Sequence, residues 1–321
     1  MTLLPAQRLL RKRRQSQLAV TSRSVALFRL GEVCNNHCPM CSNSGRPAAF
    51  YTETDELLRR VDFLHQQGVR RVVVTGGEPT IHRGFFKVVA RLRELGIIWD
   101  INTHGRSFAD ADFTEKALDH GLERAIVSFH SHQVEPSCII SGFLERHHHE
   151  TIAGIRNLVD NDVWTMLNTV LTRHNVDHLE ALFAFCLDEF KSGYSMKFAF
   201  PSTTGKGGAW PAIELRYGEV AETVGRLRSL GAAKDVEVLF ESFPNCIVGD
   251  PQARNMSRSG FGESHYLDDL SGDRLYPIRY IESELSAYGP GCKSCPALTH
   301  CCGVSENYAR QHGVEELVPF Q

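Results

Sequence analysis

Three cysteines stand close together in one short stretch of the chain. Cys34, Cys38 and Cys41 form a C-x3-C-x2-C run. Three thiolates on one loop suit a cubic iron–sulfur cluster, which takes four ligands. No further cysteine follows nearby, so one iron would stay open to a non-protein ligand, and metal sites with an open position usually carry out chemistry. The alternative is a structural zinc loop completed by His37 or a distant cysteine, although zinc motifs usually come as paired C-x2-C units.

A second motif lies at the end of a predicted strand. Residues 71–75 are mostly β-branched, as in a buried parallel strand. They are followed by Gly76, Gly77, Glu78 and Pro79. Two glycines allow positive φ angles and a close backbone approach to a ligand, and Glu78 would place a carboxylate or carbonyl acceptor beside an ammonium group. Taken alone, the segment fits an ordinary strand and turn better than a binding site.

The two motifs together resemble the radical S-adenosylmethionine (radical SAM) superfamily, whose signature is C-x3-C-x-Φ-C with an apolar or aromatic Φ. Met40 occupies the Φ position, and residues 76–78 match the family's GGE motif. The resemblance implies that the three cysteines are catalytic and hold a 4Fe–4S cluster whose open iron binds S-adenosylmethionine (SAM). It also implies cofactor contacts at Met40 and at residues 76–79, with the GGE residues holding the methionine amino group. SAM would be cleaved to a 5′-deoxyadenosyl radical that abstracts hydrogen from the substrate, and the protein would position the cofactors.

Composition and charge exclude several classes of protein. The chain has 321 residues, 42% of them hydrophobic, and a net charge of −3, which implies neither wholesale nucleic-acid binding nor strong attraction to a membrane. No apolar run approaches the roughly 20 residues that cross a bilayer, and the N-terminus lacks the apolar segment of a secretory signal. The chain has ten cysteines, and ten cysteines in an exported protein would suggest disulfides. Clustered C-x3-C-x2-C and C-x2-C spacings are instead typical of metal sites in an intracellular protein. We therefore expect a soluble, cytoplasmic, oxygen-sensitive protein.

Strands and helices alternate along most of the chain, which predicts an α/β fold. Periodicity predicts strands over residues 25–30, 72–75, 99–103, 125–129, 163–171 and 196–200, a further strand over 236–240, and helices over 54–67, 85–95, 114–120, 150–160 and 179–189. This alternation favours right-handed βαβ units around a parallel sheet. Six units correspond to the partial (β/α)6 TIM-like barrel that is typical of radical SAM enzymes. We predict a basic N-terminal arm over residues 1–23, the barrel over 24–235 and a small, loop-rich cluster-binding domain over 236–321.

Polar residues at the other strand ends are candidates for cofactor binding. In parallel barrels the ligand sits at the C-terminal ends of the strands. Asn102 lies at the end of the third predicted strand, Ser128 and His130 at the end of the fourth, and Asn168 in the fifth. In the superfamily, polar residues of the fourth and fifth strands bind the ribose and the carboxylate, so Ser128 and Asn168 are the favoured candidates. A lone Ser or Asn near a strand end is as often a turn or capping residue, and His130 could instead act in proton transfer.

A second set of cysteines lies near the C-terminus. Cys292, Cys295 and Cys301 form a C-x2-C-x5-C run, and Cys246 can supply a further thiolate. Four thiolates in a loop-rich segment suit a closed cluster or a zinc site, since metal binding can stabilise a fold with little core. Cys302 could replace Cys301, because two adjacent cysteines cannot easily both bind one cluster.

This segment resembles the SPASM and twitch extensions of radical SAM enzymes, which carry auxiliary 4Fe–4S clusters. The full SPASM pattern continues with another cysteine, but Ser305 stands at that position and no later cysteine follows. The resemblance therefore implies one auxiliary cluster held by Cys246, Cys292, Cys295 and Cys301. With four thiolate ligands, its expected role is electron transfer rather than substrate binding.

The expected function is taken from the enzymes that carry such extensions, which modify ribosomally made peptides, sulfatase side chains or small sugar-like antibiotic precursors. We expect oxidative maturation of a peptide by crosslinking, oxidation or epimerisation. The alternative is a dehydrogenase or dehydratase for a small sugar-like or antibiotic precursor. A non-catalytic iron–sulfur electron carrier is disfavoured, because a carrier has no use for a GGE motif. Expected partners are a reductase such as flavodoxin or ferredoxin and, for a peptide substrate, a separate precursor-binding protein.

Overall fold

The computed structural model describes residues 25–41, 51–202, 210–253, 264–267, 272–277 and 286–321. The basic arm that the sequence predicts over residues 1–23 lies outside the described residues. Within the described ranges, no helix is both long enough and apolar enough to span a membrane.

A nine-stranded sheet forms the frame of this part of the chain. Its strands are β1 (Val25–Arg29), β2 (Arg71–Thr75), β3 (Ile98–Thr103), β4 (Leu122–Ser128), β5 (Trp164–Val170), β6 (Tyr194–Ala199), β7 (Val238–Glu241), β8 (Ser264–Leu267) and β9 (Leu275–Pro277). Their order is β7-β6-β5-β4-β3-β2-β1-β8-β9, and every neighbouring pair is parallel except β8 and β9. The eight parallel strands form an open half-barrel, so their carboxyl ends lie at one rim.

Helices connect successive strands of this half-barrel. They are α1 (Thr54–Gln66), α2 (Phe85–Glu94), α3 (Ala111–Asp119), α4 (Val134–Ser141), α5 (Glu145–Asp160), α6 (Leu179–Glu189) and α7 (Tyr217–Lys234), followed by the short α8 (Asn245–Val248) and α9 (Glu306–His312). Short 3-10 turns span Pro79–Ile81, Arg106–Ala109, Val176–His178, Pro211–Ile213 and Pro290–Ser294. A small antiparallel pair, β10 (Ser286–Ala287) and β11 (Val304–Ser305), lies in the C-terminal region.

The alternation of side chains along each strand decides which face of the sheet is packed. Leu167 on β5 and Phe198 on β6 are fully buried in one continuous core, together with Leu182 of α6. Asn168 and Lys197, each next to one of these residues in sequence, are paired in register and therefore share the opposite face. The helices cover the apolar face, and the inner side of the half-barrel receives the polar residues.

The half-barrel confirms the predicted α/β fold class, and its sheet is larger than predicted. The six predicted strands and the further strand over residues 236–240 are all present, whereas β8 and β9 were not predicted because their segment has little periodicity. Helix α4 was not predicted either, because Pro136 lies in its first turn and because Ser137 and Ser141, which are polar, lie on its buried face. Helix α7 was also not predicted, because it contains three glycines, which lower helix propensity.

The sheet continues beyond residue 235. Strands β7, β8 and β9 follow this position in sequence, and they pair within the same sheet as β1–β6. The rest of the C-terminal region is rich in loops and carries the second cysteine set. A separate cluster-binding domain over residues 236–321 stays a proposal.

Candidate active site

The cysteines of the first motif lie on the loop that follows β1, and all three are half-buried. The backbone N–H of Asn36 donates to Cys34 Sγ at 3.4 Å. Cys38 Sγ donates to the carbonyl oxygen of Ser141 at 3.4 Å, and the N–H of His37 donates to the same oxygen at 3.3 Å. The cysteine loop therefore rests on the carboxyl end of α4.

The turn after α4 is shaped to receive this loop. Gly142 follows α4 in the left-handed conformation, with a φ of 59°. A Cβ atom at this position would overlap the carbonyl oxygen of His37. Glycine is therefore needed both for the backbone angle and for the close approach. Gly142 was not among the residues predicted from the sequence to be important, although a glycine after an apolar segment is a common helix end.

The two glycines after β2 lie against the segment that leads into the cysteine loop. The N–H of Gly77 donates to Gly31 O at 2.9 Å, and the N–H of Glu78 donates to Val33 O at 2.9 Å. A Cβ on Gly76 would overlap the carbonyl oxygen of Gly31, and a Cβ on Gly77 would overlap that of Val33. The close approach that the glycines permit is thus to the chain's own backbone, and their contact with the cofactor stays a prediction.

The carboxylate of Glu78 lies buried between the ends of β2 and β3, and the residue is 3% exposed. Its Oε1 accepts the N–H of Thr80 at 3.1 Å, the Thr80 hydroxyl at 2.6 Å and the Thr103 hydroxyl at 2.8 Å. Its Oε2 accepts the N–H of His104 at 2.8 Å. The carboxylate therefore ties the two strand ends together. A direct contact of Glu78 with the SAM ammonium group stays a prediction, with Oε2 as the less crowded oxygen.

His104 joins this buried carboxylate to the cysteine loop. Its Nδ1 accepts the N–H of Arg106 at 3.2 Å, so the ring proton sits on Nε2, which donates to Asn35 Oδ1 at 2.6 Å. Burial lowers the pKa of His104 even though the Glu78 carboxylate acts in the other direction, so the ring is neutral. Arg106 Nη2 also donates to the carbonyl oxygen of Asn35 at 3.1 Å. The end of β3 thus holds the residue that follows Cys34.

Ser128 and Asn168 lie side by side on the inner wall, paired in register on β4 and β5. Both are partly exposed, while the Asn168 Oδ1 atom is buried and has no hydrogen-bond partner in the described part of the chain. A buried acceptor without a donor costs about 1–3 kcal/mol, so this atom calls for a donor from a ligand or water. Asn102 lies on the same wall of β3 and is exposed. The structure brings the three residues to one surface, and their contact with the cofactor stays a prediction.

His130 is placed differently from these residues. It is 4% exposed, and its Nδ1 accepts the N–H of Val170 at 3.2 Å. Its carbonyl oxygen accepts from Asn175 Nδ2 at 2.9 Å. Burial lowers the pKa of His130 to about 4, so its ring is neutral at neutral pH. These contacts support a structural role at the ends of β4 and β5, and a cofactor contact of His130 stays a prediction.

The cysteines of the first motif lie in surroundings that disfavour a bare thiolate. Burial raises the pKa of Cys34 to about 11, and the Glu78 charge adds to the effect. Burial likewise raises the pKa of Cys38 to about 12, with further contributions from the neighbouring thiols. A bound metal reverses this balance, because a coordinating thiol is deprotonated outright. Three half-buried thiols on one loop therefore fit a cluster that brings positive charge with it.

The cysteines of the second set line one cavity in the C-terminal region. They are Cys246 in α8, Cys292 in the Pro290–Ser294 turn, and Cys295 and Cys301 in the segment before β11, and all are half-buried. Leu317, Pro319 and Phe320 also line the cavity. In the described ranges, no three His, Cys, Asp or Glu side chains converge on one point that could hold a single metal ion. The thiols surround a volume, and four such donors fit a cluster with a metal at each corner.

The structure favours Cys301 over Cys302 as a member of this set. Cys301 lines the cavity, and its Sγ accepts the N–H of Asn245 at 3.5 Å and of Gly303 at 3.4 Å. Cys302 Sγ instead donates to the carbonyl oxygen of Gly303 at 3.1 Å. Hydrogen bonds to a cluster sulfur help to set its reduction potential, so the backbone around Cys301 suits a ligand.

Residues 28–186 match the family model of the radical SAM superfamily. The chain contains a radical SAM domain. The matched range begins in β1 and ends in α6, so it includes the cysteine loop, the GGE motif and the inner wall at Ser128 and Asn168. The family that the two motifs predicted is thus confirmed.

Curated relatives of the radical SAM domain cover only part of the chain. A probable GTP 3′,8-cyclase of Sulfurisphaera tokodaii is 27% identical over 165 residues, which are 50% of this chain and 50% of the relative. A probable GTP 3′,8-cyclase of Saccharolobus islandicus is 31% identical over 150 residues, 46% of this chain and 47% of the relative. The chain thus spans about half the length of the curated relatives it matches.

Solved structures resemble this radical SAM protein over nearly its whole length. Streptococcus suis SuiB bound to the precursor peptide SuiA has a TM-score of 0.64 and 13% identity, covering 98% of this chain and 79% of SuiB. The anSMEcpe protein with bound AdoMet and a Cp18Cys peptide has a TM-score of 0.61 and 14% identity, covering 92% of this chain and 91% of that protein. At these identities the likeness establishes the fold.

Proposed function

We propose that this radical SAM enzyme holds one auxiliary 4Fe–4S cluster and carries out the oxidative maturation of a ribosomally made peptide. The observation that carries the proposal is the convergence of Cys246, Cys292, Cys295 and Cys301 on one cavity. The likeness to SuiB with its precursor peptide and to anSMEcpe with its Cp18Cys peptide supports a peptide substrate.

The residues around the rim have distinct roles in this proposal. Cys34, Cys38 and Cys41 hold the first cluster, on a loop that α4 supports through Ser141. The Asn168 Oδ1 atom, which has no partner among the described residues, offers an acceptor to the cofactor from the inner wall. When bound, the cluster and SAM supply the 5′-deoxyadenosyl radical that removes a hydrogen atom from the substrate.

The second cysteine set accounts for the fate of the remaining electron. A substrate radical that loses one electron and one proton gives a product oxidised by two electrons relative to the substrate. Four cysteine ligands would leave no open iron for the substrate, so this site fits an electron acceptor rather than a binding site. The reductase that starts each turnover, a flavodoxin or a ferredoxin, belongs to the same proposal.

A second candidate is a reaction on a small molecule, and the curated relatives point to a purine nucleotide. That likeness covers about half of each chain, so it supports a common SAM-cleaving core. The phosphate groups of a nucleoside triphosphate such as GTP are usually bound by cationic side chains. Two cations of the inner wall are already paired: Lys197 Nζ lies 2.5 Å from Glu241, and Arg29 contacts Glu32 at 2.9 Å. Neither of these two side chains is therefore free to bind a triphosphate.

Metal analysis tests the auxiliary cluster. Anaerobically reconstituted protein is expected to hold about eight irons, as two cubic clusters. About four irons together with stoichiometric zinc would mean that the second cysteine set is a zinc site. Absorption and Mössbauer spectra of the same sample would identify the cluster type.

A substrate test separates the two candidates. The reconstituted enzyme is incubated with SAM and a low-potential reductant, and with either GTP or a short precursor peptide encoded beside its gene. A peptide product lighter by two hydrogens, formed together with 5′-deoxyadenosine, is the expected result. Conversion of GTP with no change in the peptide would instead support the nucleotide reaction.

A further inference from the structure

Arg106 is a buried arginine beside the cysteine loop, and 8% of the residue is exposed. It begins the Arg106–Ala109 turn that follows β3. The preceding Gly105 has a φ of 85°, and a Cβ there would overlap the side chain of Val127 on β4. From the other side, a Cβ on Gly154 of α5 would overlap the carbonyl oxygen of Gly105. The turn is thus packed tightly between β4 and α5, and this packing fixes the position of the Arg106 backbone.

The described residues fill only part of the hydrogen-bonding capacity of the Arg106 guanidinium group. Its Nη2 donates to the carbonyl oxygen of Asn35 at 3.1 Å, and its Nη1 lies 3.9 Å from the carboxylate of Glu150. Its Nε is buried and has no hydrogen-bond partner within the described ranges. Burying a charge with an unfilled donor is costly unless an opposite charge compensates it. The arrangement therefore calls for a further negative group near the loop.

The thiols of the cysteine loop, once they coordinate metal, provide such a group. Cys34 directly precedes Asn35, whose carbonyl oxygen Arg106 holds. Three thiolates outweigh the charge of an oxidised 4Fe–4S core, so the bound cluster is negative, and reduction by one electron makes it more so. A buried cation stabilises the reduced form more than the oxidised form.

We propose that Arg106 is an electrostatic positioning residue of the radical SAM centre. It holds the cysteine loop at Asn35 and raises the reduction potential of the cluster, which eases acceptance of an electron from a low-potential flavin or iron–sulfur reductase. Cluster potentials depend on net charge, hydrogen bonding and solvent exposure. The inference concerns the radical SAM domain itself and does not depend on the proposed peptide substrate or on the auxiliary cluster.

The titratable groups of Glu78, Glu150, His104 and His147 do not supply the positive charge that Arg106 brings to the loop. The carboxylates of Glu78 and Glu150 are negative and oppose reduction of the cluster. His104, between Glu78 and Asn35, is neutral because burial lowers its pKa. Burial also lowers the pKa of His147, and the Arg106 charge lowers it further.

A redox titration of the reconstituted full-length enzyme tests the role of Arg106. Electron paramagnetic resonance is recorded on the signal that changes when SAM is added, which identifies the radical SAM cluster. Arg106→Met removes the charge and keeps a long side chain. We expect the ratio of reduced to oxidised cluster at a given potential to fall at least about tenfold, which is a shift of about 59 mV to more negative values. Arg106→Lys keeps the charge and should stay closer to the unmodified enzyme.

Glu150→Gln provides a variant with the opposite expected sign. It removes the carboxylate 3.9 Å from Arg106, so the potential should become more positive. A purely structural role for Arg106 would leave the potential of a folded, iron-loaded Arg106→Met variant the same as that of the unmodified enzyme, and this result would overturn the proposal. If Arg106→Met does not load iron, Arg106→Gln decides, because it removes the charge and keeps an amide donor: a more negative potential supports the proposal and an unchanged one refutes it.

Discussion

Glu78 and His104 meet between the ends of β2 and β3, where the N–H of His104 donates to Glu78 Oε2 at 2.8 Å and the ring Nε2 lies 3.5 Å from the same oxygen. The ring of His104 then donates to Asn35 in the cysteine loop at 2.6 Å. The GGE motif and the cysteine motif are thus connected through a residue that belongs to neither. The Glu78 carboxylate organises the rim of the half-barrel, in addition to any contact that it makes with SAM.

Replacing Glu78 by glutamine should therefore destabilise the protein. The amide nitrogen would face one of the donors that now surround the carboxylate, and a buried donor without an acceptor costs roughly 1–3 kcal/mol. We expect a lower free energy of unfolding and weaker SAM binding, measured by denaturant titration and calorimetry. Glu53→Gln is a suitable control, because Glu53 is exposed and does not cap α1 with its side chain. Weaker binding with unchanged stability would show that Glu78 acts on the ligand alone.

Gly77→Ala should separate β2 from the segment that leads into the cysteine loop. The added methyl group would overlap the carbonyl oxygen of Val33, and backbone would have to move to make room. We expect a lower melting temperature and loss of iron from the first site. Gly225→Ala in α7 is the matched control, since a Cβ there meets nothing within 4 Å. That change should be neutral or stabilise the helix by about 0.5–1 kcal/mol, and equal effects of the two substitutions would contradict the argument.

His130 should make the stability depend on pH in the acidic range. Burial lowers its pKa from 6.5 to about 4, so between these values the unfolded chain binds a proton that the folded protein does not. The free energy of unfolding is therefore highest above the unfolded pKa and falls as the pH decreases towards the folded one. In His130→Asn, whose Oδ1 can still accept the Val170 N–H, the fall between about pH 7 and about pH 5 should be smaller by about 2 kcal/mol.

Urea titrations at several pH values would measure this difference. His149→Asn is the control, because the His149 side chain is 64% exposed and its replacement should change the profile little. Parallel pH profiles for the unmodified protein and His130→Asn would mean that the ring of His130 reaches water.

Removing the second cysteine set should uncouple SAM cleavage from product formation. The double variant Cys292→Ala and Cys295→Ala should lose the iron of that site, while 5′-deoxyadenosine continues to form, because the first site uses none of these residues. Iron analysis and chromatography measure the two effects, and circular dichroism checks the fold, since losing a metal can unfold a small region. Cys186→Ala is the control, because Cys186 is buried in α6. Full product from the folded double variant would leave the second site without an electron-transfer role.

The amino-acid sequence alone determined the chemistry and the repeating architecture of this protein. The spacing of Cys34, Cys38 and Cys41 is local, and so is the run from Gly76 to Pro79, so both can be seen without knowing what lies next to them. The alternation of strands and helices is likewise a periodic signal carried by neighbouring residues. These features predicted the radical SAM domain and the α/β half-barrel, both of which were confirmed.

Only the tertiary structure decided how these parts are held. Ser141 supports the cysteine loop through its carbonyl oxygen, and His104 and Arg106 link the end of β3 to Asn35. Cys301 lines the same cavity as Cys246. Each of these contacts joins segments that are far apart in the chain. Such contacts depend on which strands lie next to each other and in what register, and a backbone carbonyl oxygen has no sequence signature. For the same reason the sequence could place Glu78 at the rim but could not show that protein donors surround its carboxylate.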